Sequence, residues 1–157
     1  MFLIGNSIDI HSLKKNGCLI KLGGLFFHSK WKINAHSDGD IILHALSESI
    51  YGALGLGDLG DHFPDKIPAN YNIDSINILK DSLEKMRARK YNIKNVDMTI
   101  ISEHIIFKDI KNNIRDNLIY LTGSNKINLK ATRWESNQKI IQVNCSILLY
   151  KGSDYGS

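Results

Sequence analysis

The chain has 157 residues, of which 43% are hydrophobic and 23% are charged, and its formal net charge is +4. This composition is typical of one compact domain and excludes an intrinsically disordered chain. No apolar stretch approaches the roughly 18 residues of a membrane span, and the short apolar start lacks the basic flank of a signal peptide. We therefore expect an unprocessed cytoplasmic protein that binds no membrane.

The first 60 residues predict three strands, a helix and a loop. Residues 2–11 are an apolar run that ends in alternation, and this period of two is typical of a strand. A Gly-Gly dipeptide between two short apolar runs predicts a hairpin of residues 18–22 and 25–28. Apolar residues then recur at helical spacing after Asp38 until the glycine-rich segment 55–60, which indicates a helix followed by a loop.

The rest of the chain predicts two further helices and three strands. The expected elements are a helix from its N-cap Asp74 to Arg89, a strand at 96–100, a helix at 109–121, and strands at 127–133 and 140–150. This mixture predicts an α+β fold, in which one domain forms a mixed β-sheet with helices packed on one face. We assign residues 1–151 to this domain and residues 152–157 to a disordered tail.

Charged residues and histidines are distributed unevenly. The first 65 residues contain 5 basic and 7 acidic residues and five of the six histidines, whereas the remainder contains 15 basic and 9 acidic residues. This split suits a metal site that faces an anion. A pI of about 9.0 can indicate nucleic-acid binding. However, 16 of the 20 basic residues are lysines and no aromatic residues interleave a basic stripe, so we expect no nucleic-acid partner.

The two cysteines lie 127 positions apart and form no CxxC motif. They therefore predict neither a disulfide framework nor a thiolate zinc cluster, and we expect them to be reduced and buried.

Three residues could form a metal centre. Asp9 and His11 are two apart on a predicted strand and so point to the same side, and His44 lies about one helical turn beyond Asp40. Together they offer one oxygen and two nitrogen ligands and leave a position open, as in catalytic zinc sites. By spacing alone, Asp9 and His11 could instead be polar residues at a strand end that faces water, and His44 could be a hydrogen-bonded histidine of the core. Ser37 or Asp38 could cap the helix, whose first turn favours an anion such as phosphate.

Two later groups could bind substrate. Asp58-Leu59-Gly60 and Phe63-Pro64-Asp65 combine glycine, which permits close approach, with carboxylates that can hold hydroxyls or a cation, although turn chemistry also explains them. Lys130-Ala131-Thr132 could hold phosphoryl oxygens, and the nearby Glu135 could hold Mg²⁺. A solvated strand end accounts equally well for this group.

The order of these motifs resembles the 2-C-methyl-D-erythritol 2,4-cyclodiphosphate synthase family of the non-mevalonate isoprenoid pathway, over roughly residues 3–150. The resemblance rests on six blocks: Gly5-x-x-x-Asp9-x-His11, Ala35-His36-Ser37-Asp38-Gly39-Asp40-x-x-x-His44-Ala45-Leu46, Gly55-Leu56-Gly57-Asp58-Leu59-Gly60-x-x-Phe63-Pro64-Asp65, Asp74-Ser75, Asn95-Val96-Asp97-x-Thr99-Ile100-Ile101 and Asn128-x-Lys130-Ala131-Thr132.

The resemblance implies a homotrimer with active sites between subunits. Its substrate would be a nucleotide diphosphate, 4-diphosphocytidyl-2-C-methyl-D-erythritol 2-phosphate, whose 2-phosphate attacks the β-phosphorus and expels CMP. It implies Zn²⁺ on Asp9, His11 and His44, and Mg²⁺ or Mn²⁺ on Glu135 at the diphosphate. Catalytic roles fall on His36, Thr132 and Arg133. The substrate-binding residues would be Asp9, Ile10, His11, His36, Ser37, Asp58, Leu59, Gly60, Phe63, Pro64, Asp65, Lys130, Ala131, Thr132 and Glu135.

The chain departs from the family pattern where the cytidine and the phosphates would bind. Residues 102–108 lack the usual A-x-x-P-K loop, Arg133 and Trp134 replace two threonines, and a glycine-rich segment after them is shortened to residues 136–139. These departures leave two alternatives, which are a non-catalytic metal-binding trimer subunit derived from the enzyme and a zinc phosphoesterase acting on another nucleotide. Ser7 replaces a usual glycine and Ile67 a usual aspartate, which we expect to matter little.

Overall fold

The protein folds around a mixed sheet of five strands in a computed structural model that describes residues 1–17 and 19–152. The strands are β1 (Phe2–Lys14), β2 (Leu19–Leu22), β3 (Leu25–His28), β4 (Lys32–Ile33), β5 (Tyr91–Ser102), β6 (Ile127–Thr132) and β7 (Ile140–Lys151). Within the main sheet the order is β4-β1-β7-β5-β6, and β5 and β6 are parallel while the other neighbouring pairs are antiparallel. Strands β2 and β3 form a separate hairpin.

The helices cover one face of the sheet. They are α1 (Ile41–Ala53), α2 (Leu59–His62), α3 (Ser75–Ala88) and α4 (Lys111–Thr122), with a 3-10 turn at Pro68–Asn70. Eleven of the 13 residues of α1 are buried, since this helix lies between β1, β7 and α3. The contact between α1 and β1 is close enough that a Cβ atom at Gly5 would lie 2.0 Å from the carbonyl oxygen of Ser49. No described helix has the length and apolarity to cross a bilayer.

The fold confirms the predicted α+β class, the hairpin, the three long helices and the long strands. Helix α2 and the short strand β4 were not predicted. Residue Cys18 and residues 153–157, most of the predicted tail, lie outside the described residues. Cys145 is buried with a free thiol, as expected, and burial raises its pKa to about 12.

The predicted cap of α1 is wrong. Asp40 caps this helix rather than Ser37 or Asp38, because its carboxylate accepts hydrogen bonds from the backbone N–H of Leu43 at 3.0 Å. The same carboxylate accepts from the N–H groups of Gly23 and Gly24 at 2.9 and 2.7 Å. These two glycines have φ values of 63° and 85°, which the tight turn of the β2–β3 hairpin requires. One buried side chain thus joins the hairpin to the start of α1.

The opposite face of the sheet carries exposed apolar side chains. Phe2, Ile4, Ile8 and Ile10 alternate along β1 and are each more than half exposed, whereas Ser7 and Leu13 on the other face are buried. Four large apolar side chains in one exposed row are a feature of surfaces that bind another protein.

Candidate metal centre

Asp9, His11 and His44 lie close together at one end of the sheet. The period of two places Asp9 and His11 on the helix-facing side of β1, and the close packing of α1 on β1 brings His44 to them. Nδ1 of His11 is 3.2 Å from Oδ1 of Asp9, and Nδ1 of His44 is 3.5 Å from its Oδ2. One ligand atom from each residue lies within 4.8 Å of the others. The predicted three-residue cluster therefore forms, which a polar strand end or an isolated core histidine does not account for.

The environment of His11 fits a bound cation. Its Nδ1 atom is buried and, among the residues that the structure describes, has no partner in hydrogen-bond geometry. Burial lowers the pKa of His11, against the raising effect of the Asp9 carboxylate and together with the lowering effect of His44. A neutral imidazole is the form that binds a metal, and the carboxylate and two imidazoles are a ligand set that suits Zn²⁺ and similar divalent ions.

Two serines contact Nε2 of His44, the ring nitrogen on the side away from Asp9. Its Nε2 atom is 2.7 Å from the hydroxyl oxygen of Ser75, which begins α3, and 3.1 Å from that of Ser37. Asp38, which does not cap α1, instead accepts hydrogen bonds from both the backbone N–H, at 2.9 Å, and the hydroxyl of Ser75. Lys21 lies 3.1 Å from the same carboxylate. Burial opposes ionisation of Asp38, but the hydrogen bonds from Ser75, Asp40 and Lys21 outweigh it and lower its pKa.

A cavity of about 510 Å³ opens at the cluster. The predicted residues that line it are Asp9, His11, His36, Ser37, His44, Leu59, Gly60, Phe63, Pro64 and Asp65. Sequence reasoning missed Glu48, Lys66 and Asn70, which also line it. Glu48 accepts a hydrogen bond from the backbone N–H of Leu59 at 3.2 Å and so ties α2 to α1. Its position one turn beyond His44 in the same helix was the available signal.

Asp58 and Ile10 have other surroundings. Asp58 caps α2 through a capping box with Asp61 rather than lining the cavity. Ile10 is 55% exposed on the outer face of the sheet, so its side chain points away from Asp9 and His11.

The remaining predicted residues lie apart from this cavity. Ala131, Thr132 and Arg133 line a second cavity of about 300 Å³ at the end of β6, together with residues 105–108. Lys130 pairs with Asp97 at 2.8 Å on the exposed face. Glu135 is exposed, with a φ of 60°, and lines neither cavity. The single chain thus brings the Asp9–His11–His44 cluster together with His36, Ser37 and the 59–65 segment. It does not bring residues 130–133 and Glu135 to the same cavity.

The fold and this donor set define an α+β protein with a candidate divalent-metal centre. The family model of the YgbB family matches residues 2–150. The chain belongs to the YgbB family. It is 42% identical over 161 residues to the 2-C-methyl-D-erythritol 2,4-cyclodiphosphate synthase of Leptospira interrogans, covering 98% of this chain and 100% of the relative. The synthase of Mycoplasmoides gallisepticum is 35% identical, with 93% and 95% covered.

Solved structures agree with the sequence relatives. A structure of 2C-methyl-D-erythritol-2,4-cyclodiphosphate synthase aligns with a TM-score of 0.87 at 29% identity, covering 94% of this chain and 99% of the other. The CDP complex of IspF from Plasmodium falciparum aligns with a TM-score of 0.84 at 29% identity, with 97% of both chains covered.

Proposed function

We propose that the protein is a cyclodiphosphate synthase that converts 4-diphosphocytidyl-2-C-methyl-D-erythritol 2-phosphate into 2-C-methyl-D-erythritol 2,4-cyclodiphosphate and CMP. The observation that carries this proposal is the Asp9–His11–His44 cluster at the cavity lined by His36, Ser37 and the 59–65 segment. The chain also belongs to a family in which relatives that match nearly its full length are named as this enzyme. The reaction belongs to isoprenoid precursor biosynthesis.

The reaction is an internal displacement at phosphorus. The 2-phosphate oxygen of the substrate forms a bond to the β-phosphorus while the bond to the CMP oxygen breaks, and CMP leaves with that electron pair. Nucleophile and electrophile belong to one molecule, so holding the folded substrate contributes up to roughly 7–11 kcal/mol in favourable cases. A protein nucleophile is therefore unnecessary, and the cavity has only to bind and orient the substrate.

Asp9, His11 and His44 would hold Zn²⁺, and a divalent cation so bound withdraws charge from phosphoryl oxygens. His36 and Ser37, in the wall of the same cavity, are placed to donate hydrogen bonds to those oxygens. Leu59 and Gly60 would bind the substrate near its erythritol hydroxyls, and Phe63, Pro64 and Asp65 would also contact the substrate. By the family pattern, Glu135 would hold Mg²⁺ or Mn²⁺ at the diphosphate, with Asp58 and the backbone of Ile10 completing the substrate contacts.

The predicted residues at the end of β6, which lie apart from the metal cluster, would act from a neighbouring subunit in a homotrimer. Lys130, Ala131, Thr132 and Arg133 would then complete the nucleotide side of the site, with Thr132 and Arg133 acting on the transition state. Two observations support this arrangement. Their cavity is separate from the metal cluster within one chain, and the outer sheet face carries an exposed apolar row suited to subunit contact. We place the domain at residues 1–151 and the enzyme in the cytoplasm.

Product analysis tests the proposal against a hydrolytic reaction. The full-length protein is incubated with the diphosphocytidyl substrate, Zn²⁺ and Mg²⁺ in water enriched in oxygen-18, and the products are identified by phosphorus NMR and mass spectrometry. We expect CMP and a cyclic diphosphate that contain no label, because an internal phosphate is the nucleophile. Labelled linear phosphate products, or intact substrate, would overturn the proposal.

A further inference from the structure

The side of His44 that faces away from Asp9 carries a chain of hydrogen bonds for which the proposed reaction assigns no role. It runs from Lys21 in β2 through Asp38, in the segment before α1, to Ser75 at the start of α3 and on to Nε2 of His44. Ser75 is fully buried and the Lys21 side chain is 9% exposed. The contacts that end at Nε2 of His44 therefore join four segments of the chain.

The positions of the protons in this chain follow from which groups can donate. The carboxylate of Asp38 only accepts. Its Oδ2 atom accepts from the Ser75 backbone N–H at 2.9 Å and lies 3.1 Å from the Lys21 ammonium, and its Oδ1 atom accepts from the Asp40 backbone N–H at 3.1 Å. The hydroxyl proton of Ser75 is therefore given to Oδ1 of Asp38. A hydroxyl has one proton, so towards His44 the Ser75 oxygen can only accept.

The nitrogen that donates to Ser75 must then carry a hydrogen. Nε2 of His44 lies 2.7 Å from the Ser75 oxygen and supplies that hydrogen, so the Ser37 hydroxyl oxygen, 3.1 Å from the same nitrogen, is also placed as an acceptor. A neutral imidazole holds one ring hydrogen, so Nδ1 is left with a free lone pair. It is Nδ1 that lies 3.5 Å from Oδ2 of Asp9, on the side of the metal cluster.

We propose that Ser75, held by Asp38 and Lys21, is a positioning residue that fixes the tautomer and ring orientation of His44 so that Nδ1 serves as the metal ligand. Partners of this kind on the outer side of a ligating histidine set its ring orientation and raise its basicity. The inference rests on the proposed metal centre but not on the reaction that the enzyme performs.

Nitrogen NMR of the metal-free full-length protein tests the tautomer directly. Long-range proton–nitrogen correlations at about pH 8, where histidine is ordinarily neutral, distinguish protonated Nε2 from protonated Nδ1. We expect His44 to carry its hydrogen on Nε2 in the unaltered protein. A signal showing the hydrogen on Nδ1 overturns the proposal, whether or not the protein has synthase activity.

Substitution of Ser75 tests the effect on metal binding. For Ser75→Ala we expect a mixture of His44 tautomers and a 10- to 100-fold loss of Zn²⁺ affinity, measured by competition with a chromophoric chelator. Ser82→Ala is the matched control, since Ser82 is buried in the same helix but donates to the carbonyl of Leu79. It should retain the Zn²⁺ affinity. Equal affinities for Ser75→Ala and Ser82→Ala would overturn the proposal.

A second variant covers the case in which Ser75→Ala fails to fold. In Asp38→Asn, an amide nitrogen that replaces Oδ1 donates to the Ser75 oxygen and turns the hydroxyl proton towards His44. We expect the His44 hydrogen to move towards Nδ1 and the Zn²⁺ affinity to fall at least tenfold. An unchanged tautomer together with unchanged affinity in a folded Asp38→Asn protein would overturn the proposed role of Asp38 and Ser75.

Discussion

Arg133 donates a hydrogen bond from its guanidinium to Oε1 of Glu103 at 2.6 Å, although the two residues are 30 positions apart in the sequence. The pair lies just beyond the ends of the parallel strands β6 and β5. Glu103 is mostly buried, and its other oxygen has no hydrogen-bond partner within residues 1–17 and 19–152, whereas 62% of the Arg133 side chain is exposed. Arg133 lines the second cavity, and one carboxylate oxygen of Glu103 holds its guanidinium in a fixed direction.

Arg133→Ala should affect activity more than stability. An ion pair with an exposed partner contributes about 1 kcal/mol or less to the free energy of unfolding. A guanidinium that binds a phosphate stabilises the transition state of the reaction. We expect kcat/KM to fall at least tenfold in steady-state assays and the unfolding free energy to change by about 1 kcal/mol or less. Arg115→Ala, which removes an exposed ion pair in α4, is the control. Equal kcat/KM values for the two variants would contradict a role for Arg133 in the reaction.

Asp40→Ala should destabilise the fold strongly. The substitution removes the cap of α1, which contributes about 0.5–2 kcal/mol, and leaves the N–H groups of Gly23 and Gly24 without their partner, at about 1–3 kcal/mol each. We expect urea denaturation to show a loss of at least about 2.5 kcal/mol. Asp58→Ala removes an exposed cap of the short helix α2 and should cost about 1 kcal/mol. Similar losses of stability for the two variants would contradict the role of Asp40 in joining the β2–β3 hairpin to α1.

Asp38 should make stability depend on acid. Its pKa in the folded protein is lowered, so its ionised form stabilises the fold at any pH above its unfolded value of about 3.9. This contribution is lost as pH falls through the lowered folded value. The difference in unfolding free energy between the unaltered protein and Asp38→Asn should be constant from about pH 5 to 7 and shrink below about pH 4. A difference that is independent of pH across this range would contradict the assignment.

The exposed row on β1 predicts a self-associated protein. Ile8→Lys places a charge among the apolar side chains of the outer face, and burying an unpaired charge in an interface is unfavourable. We expect the unaltered protein to sediment as a trimer and Ile8→Lys as a folded monomer without synthase activity. Tyr120→Lys, on the exposed side of α4, should remain trimeric. A monomeric unaltered protein with full activity would contradict the shared site.

Local patterns predicted much of the fold because they determine local geometry. The Gly-Gly dipeptide identified the β2–β3 hairpin, and helical spacing identified α1, α3 and α4. The cap of α1 was mispredicted because Ser37, Asp38 and Asp40 are all good capping residues. What distinguishes Asp40 is the hairpin turn 16 residues earlier, and a local pattern contains no information about such contacts.

The candidate site was predictable to a similar extent. Alternation placed Asp9 and His11 on one side of β1, helical spacing after Asp40 offered His44 as a third ligand, and the resemblance implied the same three residues. The contact of Ser75 with His44 spans 31 residues and depends on how α3 packs against α1, so spacing gave no signal for it. The sequence could not predict the exposure of Ile8 and Ile10, because an apolar run indicates burial whether the covering surface comes from the same chain or from another.

Release of CMP from the diphosphocytidyl substrate shows whether the protein is a cyclodiphosphate synthase. The unaltered protein and His44→Ala are assayed side by side with the diphosphocytidyl substrate, Zn²⁺ and Mg²⁺, and thermal melting verifies that both are folded. We expect CMP release by the unaltered protein and an at least hundredfold lower rate for His44→Ala, because this substitution removes one of the three candidate ligands. No CMP release by the unaltered protein above the level of His44→Ala would contradict it.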